Sequence, residues 1–384
     1  MAQSKVYKQK EIKAESILGF VILRMKKYSQ YYLLLFTCCT LSSQEQEWSI
    51  GTQSQSYSNI APVLQIIRDD WQSPPNKNAS KGFSQTRSEL TYQFDLGISV
   101  SAQHRMDYFV KTTPLTALGF YLEQHDLPFK AGERFPLTVQ LSQHRALGVG
   151  VAYQHQWHDL TIKGQINYWE SDYLRDLNAT GEVRTGENGH LLGHIAYQET
   201  YSHNNVLKRP MAGEFASEGQ GMSVDINILY QLTQNWLAQL NIIDLYNAFD
   251  ANDLGYSNVD INTKGSFVEN KGFSSFRPLL KGTEGKRNYH LTLPRQMYFK
   301  STMLDQSLHY SLEFNRLGDH NFAILGVGKQ FESQRITFKY DVYNRVPEIQ
   351  YTNDMFEIGL AMDDIDPNEA MALKLYSSIN VQFN

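Results

Sequence analysis

His190 and His194 are four residues apart, the spacing at which two imidazoles on one helical face can share a metal ion. Such a pair works with a neighbouring carboxylate as general base, and no Glu stands in the matching place. Residues 189–201 read as a strand, so both histidines are assigned to polar positions in a lumen or at a rim. His155 and His158 flank a turn and are three apart, which on a strand puts them on opposite faces. Asp364, Asp366 and Asn368 resemble the opening of a calcium loop. Glu369, however, stands where that loop requires glycine, and Leu375 where it requires the distal Glu. That leaves an acidic turn with at most weak affinity for a cation. No Gly-x-Ser-x-Gly elbow, phosphate loop or paired-Cys motif occurs. The reading therefore predicts no enzyme, no catalytic residue, no metal site and no cofactor.

What organises the chain instead is a two-residue period. Successive side chains of a strand point to opposite faces, so a strand between an apolar and a polar medium alternates. Leu90, Tyr92, Phe94, Leu96, Ile98, Val100 and Ala102 share one parity, opposed by Thr91, Gln93, Asp95, Gly97, Ser99, Ser101 and Gln103. Strands of soluble domains average about 5–6 residues, and a tilted membrane strand needs about 9–11, so an alternation this long predicts a membrane strand. Leu147, Val149, Val151, Tyr153 and Trp157 repeat the pattern. After His158-Asp159 the run Leu160, Ile162, Ile166, Tyr168 completes a hairpin. Met222 to Tyr230, a turn at Thr233-Gln234-Asn235 and Trp236 to Ile242 form another.

The last third reads as a meander. Tyr289 to Leu304 contains Pro294, which marks a turn or a strand edge. Leu308, Tyr310, Leu312 and Phe314 lead through Gly318-Asp319 to Phe322, Ile324 and Val327. Ile336 to Val342, Phe356 to Met362 and a closing strand follow. With the short alternation from Trp48 and Ile50 to Tyr57, roughly 14 strands result, within a range of about 12 to 16. Arg175 to Gly189, Ser202 to Gly219 and Asp250 to Arg287 are long and polar. They read as loops, which a compact soluble domain rarely accommodates. Val63, Leu64, Ile67 and Trp71 have helical spacing before Pro74-Pro75. The expected short helix over Ile60 to Trp71 either plugs a lumen, lies at its mouth, or packs on the surface against the first hairpin.

Trp48, Tyr92, Tyr108, Tyr153, Trp157, Tyr168, Trp169, Tyr230 and Trp236 fall at strand ends, where amphipathic rings meet lipid headgroups. Strand propensity accounts for the enrichment equally well. Past residues 31–39 no long apolar run occurs, and mean hydropathy is -0.44. A transmembrane barrel has such an average because lipid-facing and lumen-facing residues alternate.

Met25-Lys26-Lys27 followed by Tyr31 to Cys39 has the form of a signal peptide, too short to span a bilayer as a helix. Small residues at Thr40 to Ser42 place cleavage near Ser42. Residues 1–24 read as an upstream extension ahead of the true initiator, with a long basic leader as the other option, and 43–384 as the mature domain. Both cysteines lie within the signal, so the mature chain has no disulfide framework. Removing residues 1–42 takes away seven Lys/Arg and two Asp/Glu, and the formal net charge moves from -5 to -10. That balance argues against nucleic acid as a partner.

At the C-terminus, Leu373, Leu375, Ile379, Val381 and Phe383 share one parity, with Ser377 the polar break. This segment resembles the C-terminal signal strand of Gram-negative outer-membrane β-barrels, with Asn384 following the usual terminal Phe. The resemblance implies an outer-membrane location and the barrel-assembly machinery as a partner. Gly219-Gln220-Gly221-Met222-Ser223-Val224-Asp225, Tyr230, Trp236 and Ile243-Asp244-Leu245 are similar to a hairpin of several bacterial outer-membrane barrel families, over about thirty residues.

The fold expected is all-β: one antiparallel transmembrane barrel with long extracellular loops and short periplasmic turns, in contact with outer-membrane lipid. Only helices and closed barrels satisfy every backbone polar group in lipid. The inward parity, rich in Gln, Asn, Ser, Asp and Lys with glycines that leave room, predicts a porin-like channel or transporter for small polar solutes. The competing readings are a non-conducting barrel for adhesion, envelope assembly or surface binding, and a soluble periplasmic β-protein binding a ligand. Oligomeric state stays open.

Overall fold

The computed structural model describes residues 46–68, 70–94, 96–130, 132–185, 191–203, 219–262, 267–270, 273–276 and 279–383. The upstream extension, the signal segment with Ser42, and His190 lie outside them. The strands are β1 (Gln46–Ser58), β2 (Lys81–Gln93), β3 (Ile98–Thr112), β4 (Arg134–Trp157), β5 (Leu160–Thr185), β6 (Leu191–Tyr201), β7 (Gly219–Thr233), β8 (Trp236–Asn262), β9 (Phe267–Asn270), β10 (Phe273–Phe276), β11 (Leu279–Leu291), β12 (Gln296–Asp305), β13 (Leu308–Leu317), β14 (His320–Phe331), β15 (Gln334–Asp341), β16 (Val346–Thr352), β17 (Phe356–Met362) and β18 (Ala372–Phe383). Two helices, α1 (Val63–Arg68) and α2 (Pro114–Gln124), follow β1 and β3.

Fourteen strands close on themselves, each antiparallel to its neighbours: β1 to β5, then β7, β8 and β12 to β18. Closure is the pairing of β18 with β1, where Ile379 stands opposite Ile50 and Phe383 opposite Gln46. A closed path leaves no edge, so every wall strand has a backbone partner on both sides.

The side chains are sorted inversely to a soluble protein. On β13 Leu308, Tyr310, Leu312 and Phe314 face outward and are exposed, while Glu313 and Asn315, on the other parity, are buried inside the wall. Ile336, Phe338 and Tyr340 do the same on β15, and Phe356, Ile358 and Leu360 on β17. A contiguous apolar band around a polar interior is stable only with hydrocarbon as the outer solvent. Among the described residues no helix is long and apolar enough to cross a membrane; the strands make the crossing.

Several expectations change on folding. The alternation from Leu90 to Ala102 is a hairpin rather than one long strand: β2 ends at Gln93 and β3 begins at Ile98. Phe94 donates to the Ile98 carbonyl at 2.8 Å, and Gly97 closes the turn at a φ of 75°. Leu90 pairs with Ala102 and Tyr92 with Val100. Partners therefore share sequence parity, and the turn passes the alternation on unbroken.

The polar stretches at Arg175 to Gly189 and Asp250 to Arg287 are largely strand. β5 and β8 run for 26 and 27 residues, far beyond the about 9–11 that a tilted crossing needs. Their outer halves rise past the apolar band and pair with β6 and β11. Alternation with an apolar face is lost there because the lipid is gone, so polarity imitates a loop. Most of Ser202 to Gly219 lies outside the described residues.

Phe322 and Ile324, read in one run with Val327, point inward and are buried, while Leu325 and Val327 face out. The expected helix shortens to α1 and belongs to the rim. Ile60 and Ala61 pack with Ala79 and with Ala117 of α2, and Gln65 and Arg68 donate to the carbonyl and side chain of Asn368 in the β17–β18 connection.

Candidate functional site in the barrel lumen

Six adjacent strands build a buried polar layer across one side of the lumen. β2 supplies Gln85 and Arg87, β3 Arg105 and Asp107, β4 His144, β5 Asn167, β7 Ser223 and Asp225, and β8 Asp244. Seven lie on the inward parity of regular strands. Asp225 and Asp244 arise differently, from a register shift between β7 and β8. Val224 pairs with Tyr246 and Ile226 with Ile242, so Asp225 alone opposes three residues of β8. Asp244 takes a φ of 56° there, and its backbone N–H, freed from the ladder, donates to Asp225 Oδ1 at 2.7 Å. A bulge of this kind re-aims a side chain.

Arg105 is the hub. Its Nη1 and Nη2 donate to the two carboxylate oxygens of Asp244 at 3.0 and 2.9 Å, and its Nε donates to Asp107 Oδ2 at 2.8 Å. Arg87 Nη2 donates to Asp244 Oδ2 at 2.8 Å and Gln85 to Asp107 Oδ1 at 2.8 Å. The Arg105, Asp107 and Asp244 side chains are 0–1% exposed. A buried ion pair repays its desolvation only when its geometry is good and the remaining lone pairs are satisfied, and this bidentate fork meets both conditions. The guanidinium also lies over the rings of Trp169 and Phe249, at 5.1 and 5.3 Å from their centroids.

Those two rings correct two expectations. Trp169 is not an interface aromatic: it is 1% exposed and its indole N–H donates to Ser223 at 2.9 Å. Gly148 and Gly221 do not leave the lumen open either. A side chain at Gly148 would collide with Trp169, and one at Gly221 with Phe249, so the glycines make room for these rings and the space is filled.

A second buried cluster occupies the opposite wall. Lys339 Nζ lies 3.1 Å from Glu313 and 2.9 Å from Glu348, Lys374 3.0 Å from Glu348, and Tyr376 donates to Glu348 at 2.9 Å. Toward the short-turn end this wall borders a cavity of about 320 Å³ lined by Lys300, Arg335, Lys339 and His309 among Gln, Asn and Thr side chains. Another of about 350 Å³, lined by Arg87, Glu89, Gln103, Lys163, Gln165 and Asp225, lies beside the Arg105 layer. Toward the opposite end the lumen is bridged by rings. Tyr57 of β1 stacks on His320 of β14 at 4.0 Å, and Phe83 of β2 meets Phe322 edge-on at 6.0 Å. Phe109 packs on that group and on the buried cluster around Phe249.

No protein-family model and no curated protein matches the sequence. Among solved structures the chain is similar to the toluene transporter TodX of P. putida, at 10% identity, 89% of each chain and a TM-score of 0.42. It is also similar to the toluene transporter TbuX of Ralstonia pickettii, at 7% identity, 89% of this chain, 90% of that one and a TM-score of 0.30. For the translocator domain of the autotransporter NalP from Neisseria meningitidis the values are 8%, 96%, 98% and 0.28. Overlap at this level says nothing about a solute.

The residues singled out from sequence are dispersed. Leu375 and Ile379 of β18 face outward and are about half exposed, at 50% and 47%, with Leu373 and Val381 on the same parity. His194 pairs with Asp260 at the β6–β8 contact. His155 stands beside Tyr153 on the outer face, and His158 occupies the β4–β5 turn at a φ of 56°. Asp364 and Asp366 turn their carboxylates onto the backbone N–H groups of Asp366 and Asn368, both at 2.9 Å. Among the described residues no group of three His, Cys, Asp or Glu converges as metal ligands would. The Arg105 hub was not foreseen. Its only trace in sequence is a pair of opposite charges, Arg105 and Asp107, which continue the polar parity just beyond the alternation that ends at Gln103.

Proposed function

We propose that this chain is an integral outer-membrane barrel that passes small polar solutes, with a mid-lumen barrier closed in the conformation described here. The observation that supports it best is the position of the Arg105–Asp244 layer. Polar cavities lie beside it and toward the short-turn end, and bridging rings lie beyond it. Short turns belong on the periplasmic side of such barrels, so a solute in these cavities would stand on the periplasmic side of the barrier. On the same reading β18, with Leu373, Leu375, Ile379, Val381 and Phe383, is the strand that the barrel-assembly machinery engages, and the chain is exported by a cleaved signal peptide.

The second reading, a non-conducting barrel serving adhesion, assembly or surface binding, draws on the rings bridging β1 and β2 to β14 and on the strand extension formed by β5, β6, β8 and β11. A soluble ligand-binding protein is disfavoured by the apolar band facing outward. Proteoliposome swelling in small neutral sugars separates the first two. The conducting reading expects slow swelling for the wild type and faster swelling for Asp244→Asn, which weakens the barrier while leaving a similar side chain. No swelling for either protein, nor for a form lacking α1 and α2, would leave the non-conducting reading.

A further inference from the structure

Where β8 changes partner from β12 to β11 the barrel wall is interrupted, and this interruption is built as a site. β8 pairs with β12 only up to Ile243, opposite Gln296, and with β11 only from Phe249, opposite Leu291. Between them residues 244–248 of β8 have no strand on that side, and residues 292–295 pass across the gap. The Asn247 side chain replaces the missing ladder: its amide donates to the Leu293 carbonyl at 3.0 Å and its oxygen accepts from the Leu293 N–H at 2.7 Å. Beside this stitch is a cavity of about 700 Å³, lined by Tyr246, His290, Arg295, Met297 and Arg316 among others.

Its position along the barrel follows from strand length. β13 has ten residues, about what one tilted crossing requires. Its outward side chains run Leu308, Tyr310, Leu312, Phe314 and then Arg316, so the apolar ones cross and Arg316 stands at the boundary next to the long-connection end. Met297 pairs with Arg316, and Arg295 lies just before β12 on the same parity as exposed Met297. Apolar Tyr246 and Met297, 61% and 41% exposed, thus face the hydrocarbon edge while two guanidiniums stand at headgroup level.

Both guanidiniums are held in place but not neutralised. Arg295 Nη2 donates to the Leu245 carbonyl and Arg316 Nε to the Gly318 carbonyl, each at 3.0 Å, and neither has a carboxylate partner among the described residues. The nearby acids are engaged elsewhere: Asp244 by Arg87 and Arg105, Asp250 by His290, and Asp319 by Lys81 and Lys111. We infer that this notch binds the anionic, phosphate-bearing headgroup of a lipid in the outer leaflet, with Arg295 and Arg316 on the phosphate and Tyr246 and Met297 against the acyl chain. Planar guanidiniums suit phosphate oxygens, and cations at the membrane surface attract anionic lipids. The inference needs the barrel to sit in a membrane and is independent of whether it conducts.

The test is native mass spectrometry of the full chain in detergent, titrated separately with phosphatidylglycerol, phosphatidylcholine and inorganic phosphate. Phosphatidylglycerol is expected to give discrete adducts that Arg295→Gln/Arg316→Gln weakens at least about tenfold. Arg295→Lys/Arg316→Lys should retain part of the binding. Lys329→Gln, which removes an outward cation at the opposite end of the wall, should retain all of it. Heat-shifted gel mobility checks that each variant is folded. Equal adducts on the wild type and the Gln double variant would overturn the site. Full competition by inorganic phosphate at equal concentration would make it a free-anion site and overturn the lipid assignment, as would indifference between the two lipids.

Discussion

Arg105 and Asp244 are 139 residues apart in the chain and meet inside the barrel through two parallel hydrogen bonds of 3.0 and 2.9 Å. The contact joins β3 to β8 across three intervening wall strands. It depends on the bulge that turns Asp244 inward, and it leaves neither charge exposed.

Removing one partner strands the other. Asp244→Ala leaves Arg87 and Arg105 without their shared carboxylate and should destabilise the folded barrel by about 3–5 kcal/mol. A double variant, Arg105→Met/Asp244→Leu, should cost clearly less than the sum of its two single variants. Urea unfolding in detergent micelles, followed by Trp fluorescence, reads both. A cost for Asp244→Ala within about 0.5 kcal/mol, the range of an ordinary surface substitution, would refute the hub.

Depth in the membrane predicts a gradient on β13. Leu312, the fifth of its ten residues, should lie near the midplane, and Leu308 at the short-turn boundary. Leu312→Arg is expected to cost about 2–4 kcal/mol and Leu308→Arg about 0–1 kcal/mol, measured by reversible folding into lipid vesicles. Equal costs would show that the outward face of β13 does not cross hydrocarbon.

The Gly318-Asp319 turn predicts a small acid-linked effect outside the membrane. The Lys111 ammonium, bonded to the Asp319 carboxylate at 2.9 Å, together with Lys81, holds that carboxyl below its ordinary value. A carboxyl lowered on folding adds stability above its unfolded pKa and loses that contribution as pH falls through the folded value. The side chain is 58% exposed, so the gain is small. Wild type should exceed Asp319→Asn in stability at neutral pH, and the gap should close on acidification below the ordinary Asp range. A gap that widens would show the opposite sign.

For the closing strand, Phe383→Asp is expected to reduce insertion into the outer membrane, since a charge on the lipid side costs up to a few kcal/mol according to depth. Quantifying the heat-shifted species in outer-membrane fractions checks it. Undiminished levels would remove the signal-strand role of Leu373 to Phe383.

Much of the wall was legible in the chain. Leu308 to Phe314, Ile336 to Tyr340 and Phe356 to Leu360 announce their outward face because alternation is a local property of the strand, set by the solvent on each side. The hairpin between Leu90 and Ala102 hid its turn for the same reason: its register preserves parity. The outer halves of β5 and β8 hid their strand character because both of their surroundings are polar, so the period that reveals a membrane strand vanishes while the backbone ladder continues.

Sequence by itself determined that the strands exist, which face of most of them meets lipid, and that closure into a barrel satisfies their backbones. Each follows from interactions between near neighbours and a surrounding medium. Tertiary structure alone decided what fills the lumen. Arg105 reaches Asp244 only through the curvature of the closed wall and a two-residue excess in β8, Gly148 and Gly221 become space for Trp169 and Phe249 only when β4, β5, β7 and β8 are adjacent, and Arg295 and Arg316 line one cavity with Tyr246 only where β8 exchanges β12 for β11. Such contacts join residues tens to hundreds of positions apart, and no period along the chain encodes them.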